Sequence, residues 1–208
     1  MERTAAVIAL VDDVAARANG TVVLVGHSMG GLTITPVAQA VPDKLAAVVH
    51  LAAYMLRPGG LVEDVMDEDS KLLGLLCADP AVTGAFRFDV AARDAEYRRL
   101  FVGAFYGDLS DTALAVAFRN LHCDEPMGVT LEPSPVTADF YGTTPRHYIR
   151  RLADQAIPVA RQDQMIAEMD RVTPSATVVH ALAASHSPFL SQPDELVAIL
   201  KAIATNRR

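Results

Sequence analysis

The sequence predicts an α/β protein: a mostly parallel sheet with helices on both faces and a helical insertion between two of its strands. Three observations carry that expectation. Val22-Val23-Leu24-Val25 is an apolar run without polar alternation, which suits a strand buried on both faces of a parallel sheet. A second buried run follows at Leu45–Ala53, further strands are read at His147–Leu152 and Ala176–Leu182, and helical patterns lie between them. From about Leu61 to Asp139 that alternation gives way to helical stretches, as expected of an excursion beyond the strand ends.

Taken in order, Arg3 to Ala18 reads as an amphipathic helix. Val7, Leu10, Val11, Val14 and Ala15 share one face, and Asn19-Gly20 stops it. The strand at Val22 follows, then a helix from about Gly30 to Ala40, closed by Pro42. The second buried strand ends near Tyr54, before the turn Arg57-Pro58-Gly59-Gly60. Within the insertion, helices are expected over Leu61–Cys77, Ala91–Phe105 and Ser110–His122, with Phe86-Arg87-Phe88 a short strand. The core then resumes with the strand at His147, a helix over Ala160–Asp170 and the strand at Ala176. A last helix runs over Pro193–Thr205, with Asp194 and Glu195 near its positive end. The expected organisation is therefore core over 1–60, a lid over 61–139, and core again over 140–208.

With 208 residues, 51% of them hydrophobic, the chain can bury one sizeable core. A formal net charge of -7 argues against nucleic acid or an anionic membrane as partner. The sequence shows no phosphate-binding glycine loop followed by lysine and no Cys/His cluster at metal-ligand spacing, so neither cofactor nor metal is expected. Two cysteines, Cys77 and Cys123, are too few for a disulfide framework and fit a reducing, cytoplasmic setting. The apolar run Ala5–Val11 is short and meets Asp12 and Asp13 at once, so neither a signal peptide nor a membrane span is read there.

Chemistry concentrates at Gly26-His27-Ser28-Met29-Gly30-Gly31. A tight strand-to-helix turn forces its apical residue into a strained backbone, and Gly26 and Gly30 are read as the glycines that leave room for it. Ser28 then stands at a helix N-terminus, where developing negative charge is favoured. A serine hydroxyl needs an imidazole to take its proton, and the imidazole needs a carboxylate to fix its tautomer. Of the six histidines, His50, His147 and His180 fall in strands, His27 lies inside the turn and His122 in the insertion. His186, in Ala184-Ser185-His186-Ser187-Pro188, sits in a loop just past the last strand and can reach back to Ser28. Asp154 closes the preceding strand and is the preferred carboxylate. A helix-capping role is its competing explanation, and Asp124 and Asp139 are weaker candidates. The chain order Ser, Asp, His is that of an α/β-hydrolase.

These motifs resemble the α/β-hydrolase superfamily, in particular the branch of plant methyl esterases, hydroxynitrile lyases and bacterial esterases. The resemblance runs through Gly26–Gly31, His50-Leu51-Ala52-Ala53-Tyr54, Asn120-Leu121-His122-Cys123-Asp124, Pro145-Arg146-His147-Tyr148-Ile149, Asp154–Pro158 and His186 with Pro188-Phe189-Leu190. It implies an α/β-hydrolase fold with Ser28 as nucleophile, His186 as general base and then acid, Asp154 as orienting carboxylate, and the Met29 N–H as one oxyanion donor. It also implies a small-molecule ester as substrate. Hydroxynitrile lyases of this branch carry lysine directly after the catalytic histidine to hold cyanide. Here Ser187 stands there, which favours ester hydrolysis. The family's opening strands, on the order of 50 residues, would precede Val22, and they bring the His-Gly loop with the second oxyanion donor. The sequence does not carry them. A misassigned start, a trimmed chain and a truncation completed by a homodimer through the exposed edge of the Val22 strand each account for that. The competing functional reading is a hydrolase fold that binds ligands without turnover; a hydroxynitrile lyase ranks below it.

Overall fold

The structure, a computed structural model, describes residues 2–66 and 72–205. Four parallel strands form the sheet: β1 (Val22–His27), β2 (Leu45–Leu51), β5 (Arg146–Arg151) and β6 (Val178–Leu182), in spatial order β1-β2-β5-β6. Helices α1 (Glu2–Ala18), α2 (Gly31–Ala40) and α6 (Val159–Asp170) cover one face, and α8 (Pro193–Thr205) covers the other. Side chains of a strand alternate between faces. Val48 and Tyr148 therefore join the helices of the first cluster, while Ala47, Val49, Leu51, Ile149 and Leu182 pack with Leu196 and Ile203. Burial on both sides meets the apolar run of β2, but β1, expected to be buried on both faces, lies at the edge of the sheet and is only part-buried, with Val25 39% exposed.

Local chemistry sets the element ends. Asn19 ends α1 at φ 45°, a left-handed conformation that asparagine tolerates better than most residues. Pro42 opens a 3-10 turn (Pro42–Lys44) that feeds β2. Proline also enters at Pro36 inside α2, although the helix continues to Ala40.

The segment between β2 and β5 departs from expectation. The described residues of Leu61–Cys77 do not form the expected helix: they hold two short 3-10 turns, Val62–Asp64 and Leu73–Leu75, and the rest of that stretch, 67–71, lies outside the described residues. The expected second helix shortens to α4 (Ala95–Phe105), because the Asp94 side chain accepts the Tyr97 N–H at 2.7 Å and fixes the start there. The third becomes α5 (Asp111–Phe118), capped by Ser110 at the Ala113 N–H. A short helix, α3 (Pro80–Thr83), precedes the anticipated strand, β3 (Ala85–Arg87). That strand pairs antiparallel with β4 (Asp124–Pro126), an element too polar to be read as a strand from its own residues. Phe88, Phe101, Phe105, Tyr106 and Phe118 pack with Leu75 and Ala104 in a cluster separate from the two that flank the sheet. Among the described residues, no helix is long and apolar enough to cross a membrane.

Candidate active site

The C-terminal ends of parallel strands share one rim of the sheet, so residues that follow different strands can meet there. After β1 the chain enters a 3-10 turn (Ser28–Gly30) and then α2, with Ser28 at φ 53°. Left-handed backbone in a residue other than glycine costs on the order of 1–3 kcal/mol and must be held by its surroundings. The Tyr54 N–H holds it, donating to the Ser28 carbonyl at 3.1 Å.

The glycines around the turn divide differently from expectation. A Cβ on Gly26 would lie 2.8 Å from Ile34 Cδ1 and 2.9 Å from the Gly30 carbonyl oxygen. A Cβ on Gly31 would lie 2.0 Å from the Tyr54 carbonyl oxygen, whereas one on Gly30 meets nothing within 4 Å. The steric requirement therefore falls on Gly26 and Gly31. Gly30 contributes its carbonyl to the crowding around Gly26 but has open space of its own.

Asp154, past the end of β5, is 6% exposed. Its Oδ1 accepts the N–H groups of Ala156 (2.8 Å) and Ile157 (2.9 Å), and its Oδ2 lies 2.8 Å from His186 Nδ1. It does not cap α6, whose N-cap is Pro158. One carboxylate oxygen is fixed by backbone donors and the other is aimed at the imidazole. His186 is 1% exposed, and its Nε2 is buried with no hydrogen-bond partner. A hydrogen bond from Ser28 to that nitrogen is thus not formed here; such bonds are often long before substrate binds.

His27 ties the two loops together. Its Nε2–H donates to the His186 carbonyl at 2.9 Å, and the two rings lie 4.5 Å apart between centroids. Burial and the neighbouring His186 pull its pKa down to about 3, so the ring is neutral and available as a donor. Tyr54 is pushed up to about 12, by burial and then by the Asp154 charge. Arg151, the last residue of β5, is fully buried; desolvation lowers its pKa to about 10, against the favourable charges of Asp154, Tyr148 and Asp108.

A cavity of about 490 Å³ opens over this turn. His27, Ser28, Met29 and Tyr54 form one wall, and Phe101 and Phe105 of α4 belong to the wall contributed by the β2–β5 segment. A second hollow of about 520 Å³ lies between α1, α2 and Pro133–Pro135, and none of Ser28, Asp154 or His186 lines it.

Of the other candidates, His50, His147, His180 and Asp124 are occupied elsewhere. His50 Nε2 meets the Tyr141 hydroxyl at 3.0 Å, and His147 Nδ1 lies 3.1 Å from His180 Nε2. Asp124 is held by Arg87 through both oxygens at 2.6 Å, and Asp139 is exposed. His122 is exposed and lines the cavity.

The sequence profile of the alpha/beta hydrolase family matches residues 2–199. The chain belongs to that family. Among its α/β-hydrolase relatives, a pyrethroid hydrolase of Sphingobium wenxiniae is 33% identical over 190 residues, a match covering 89% of this chain and 64% of that protein. A putative chloroplastic methylesterase of Arabidopsis thaliana is 32% identical over 187 residues, covering 88% of this chain and 46% of that protein. The chain therefore spans less than two thirds of the length of either. Among solved α/β-hydrolase structures, a pyrethroid hydrolase from Sphingobium faniae superposes with a TM-score of 0.77 at 28% identity, over 94% of this chain and 76% of that one.

Sequence reasoning missed Asp108, whose carboxylate accepts from Ser185, the residue before His186. No local pattern joins two positions 77 residues apart. It also missed Gly31, which the motif's spacing does not single out.

Proposed function

We propose that the chain carries a serine carboxylesterase site that cleaves a small ester through an acyl-enzyme. The observation that carries this reading is the Asp154–His186 pair: Nδ1 is fixed to the carboxylate at 2.8 Å while Nε2 is sealed from water and unengaged, next to the turn that bears Ser28. Ser28 Oγ attacks the ester carbonyl as His186 Nε2 takes the hydroxyl proton. The tetrahedral oxyanion draws on the Met29 N–H at the helix start. His186 then passes its proton to the departing alcohol, and water enters to release the acid by the same steps. Asp154 keeps the imidazole in the tautomer that has Nε2 free.

The segment over 61–139 serves as the lid over the apolar half of the cavity, and medium-sized apolar or aromatic acyl groups suit its phenylalanine lining. The relatives' names, a pyrethroid hydrolase and a putative methylesterase, agree with an ester of modest size. The outer edge of β1 has no strand partner among the described residues and is suited to pairing with a second copy of the chain.

The test is covalent. A fluorophosphonate should label Ser28, and the label should vanish in both Ser28→Ala and His186→Ala. No labelling of folded protein, or labelling that survives Ser28→Ala, refutes the reading and leaves a fold that only binds ligands. Light scattering decides the edge: a monomer at all concentrations removes the homodimer.

A further inference from the structure

We propose that Asp108 is a positioning residue for His186, so that the base is set for proton transfer only while the 61–139 segment is seated on the core. This rests on the esterase reading of Ser28, Asp154 and His186 given above. Asp108 lies in the turn between α4 and α5. Its Oδ2 accepts the Ser185 N–H at 2.9 Å, and its Oδ1 accepts the Ser185 hydroxyl in a short contact. Both oxygens of one carboxylate are thereby spent on the residue that precedes His186. Ser185 is only 3% exposed, so without Asp108 its amide and hydroxyl would be left buried and unsatisfied.

The loop is held from three other directions, all of them core. The Ala184 carbonyl accepts from Ala153 N at 3.1 Å, the His186 carbonyl accepts from His27, and His186 Nδ1–H donates to Asp154. Asp108 is the hydrogen-bonded hold that comes from the inserted segment. It does not act alone there: the Phe105 ring meets the His186 ring edge-on, 5.7 Å between centroids. Gly107 is also a neighbour of the loop: an added Cβ there would be in ordinary contact with Ser185 Cβ, at 4.0 Å. Phe105 and Tyr106 also line the cavity over Ser28. One turn of chain therefore touches the space where substrate would sit and the loop that aims the imidazole. Burial works to raise the Asp108 pKa, but hydrogen bonds from the Ser185 hydroxyl and amide, joined by the Ser191 hydroxyl and the Asp108 backbone, outweigh it and leave the carboxyl below its ordinary value.

The perturbation is Asp108→Asn, which keeps the shape but turns an NH2 toward one of Ser185's two donors. A misplacement of this kind costs about 10- to 100-fold in rate. Fluorophosphonate labelling and kcat for p-nitrophenyl acetate should fall by that factor with KM nearly unchanged. The His186 Nδ1–H resonance in the proton spectrum should shift or broaden. Asp94→Ala removes the α4 cap without touching Ser185, and it should leave both the labelling rate and the resonance as in wild type. Ser185→Ala removes the hydroxyl bond and spares the amide one, so it should give a smaller loss of the same kind, and it reads the clamp if Asp108→Asn does not fold.

Wild-type rate and an unmoved His186 resonance in Asp108→Asn overturn the proposal, as does an equal loss in Asp94→Ala. If wild type itself is never labelled, the esterase reading fails on that ground. The resonance then decides separately whether Asp108 sets the imidazole.

Discussion

Acid should begin to destabilise this protein above the range where carboxylates titrate, and His50 is the main reason. It is fully enclosed in β2 against Tyr141 and Tyr148, and burial followed by the nearby Arg146 charge lowers its pKa to about 3. In the unfolded chain the same ring titrates near its ordinary value, about 6.5. Between those values the unfolded state binds a proton that the folded state refuses, so stability is complete above about pH 6.5 and is lost as pH falls toward 3. At about pH 5 the linkage from His50 alone amounts to about 2 kcal/mol. His27 acts with the same sign but is partly reached by water, so its share is smaller. His147 and His180 are also lowered by burial and add in the same direction. Urea unfolding followed by circular dichroism at about pH 7.5 and about pH 5 measures the difference directly, which should be at least about 2 kcal/mol. His50→Gln should be less stable at neutral pH yet lose about 2 kcal/mol less than wild type over the same interval. A pH dependence identical in wild type and His50→Gln would refute the reasoning.

The glycines offer a sharp contrast. Gly31→Ala drives a Cβ into the Tyr54 carbonyl and should cost about 3 kcal/mol or more, seen as a large drop in melting temperature or loss of soluble protein. Gly30→Ala has open space and should melt within about 1 kcal/mol of wild type. Asp94→Ala deletes the cap of α4 and should cost about 1 kcal/mol by denaturant titration. With serine at 187 in place of the lysine that holds cyanide, mandelonitrile should release cyanide no faster with protein than in buffer alone.

The sheet was legible because its strands announce themselves locally: Leu45–Leu51 is apolar at nearly every position, as a doubly covered strand needs to be, and Val22–Val25 is as apolar although it lies part-buried at the sheet edge. The approach of His186 to Asp154 was legible for a related reason, since parallel strands leave the sheet at one rim and few loops there carry the right side chains. The inserted segment was less legible. Apolar residues such as Leu72, Leu75 and Phe88 serve an aromatic cluster assembled from pieces far apart in sequence, not a single helix face, so periodicity overstated the helices. β4, Asp124-Glu125-Pro126, exists because Phe86 and Arg87 pair with it and Arg87 holds Asp124. Nothing in its own composition asks for a strand. Gly31 escaped because its constraint is set by Tyr54, on the far side of β2 in sequence.

The second letter of Gly26-His27-Ser28 is usually treated as free. Here its ring spans the gap to the His186 carbonyl, so the hydroxyl of residue 28 and the imidazole of residue 186 ride on one common mount. One hydrogen bond and one ring contact thus tie the two loops at a single residue. Swapping residue 27 for a side chain that cannot bridge would remove that tie while leaving Ser28, Asp154 and His186 in the molecule.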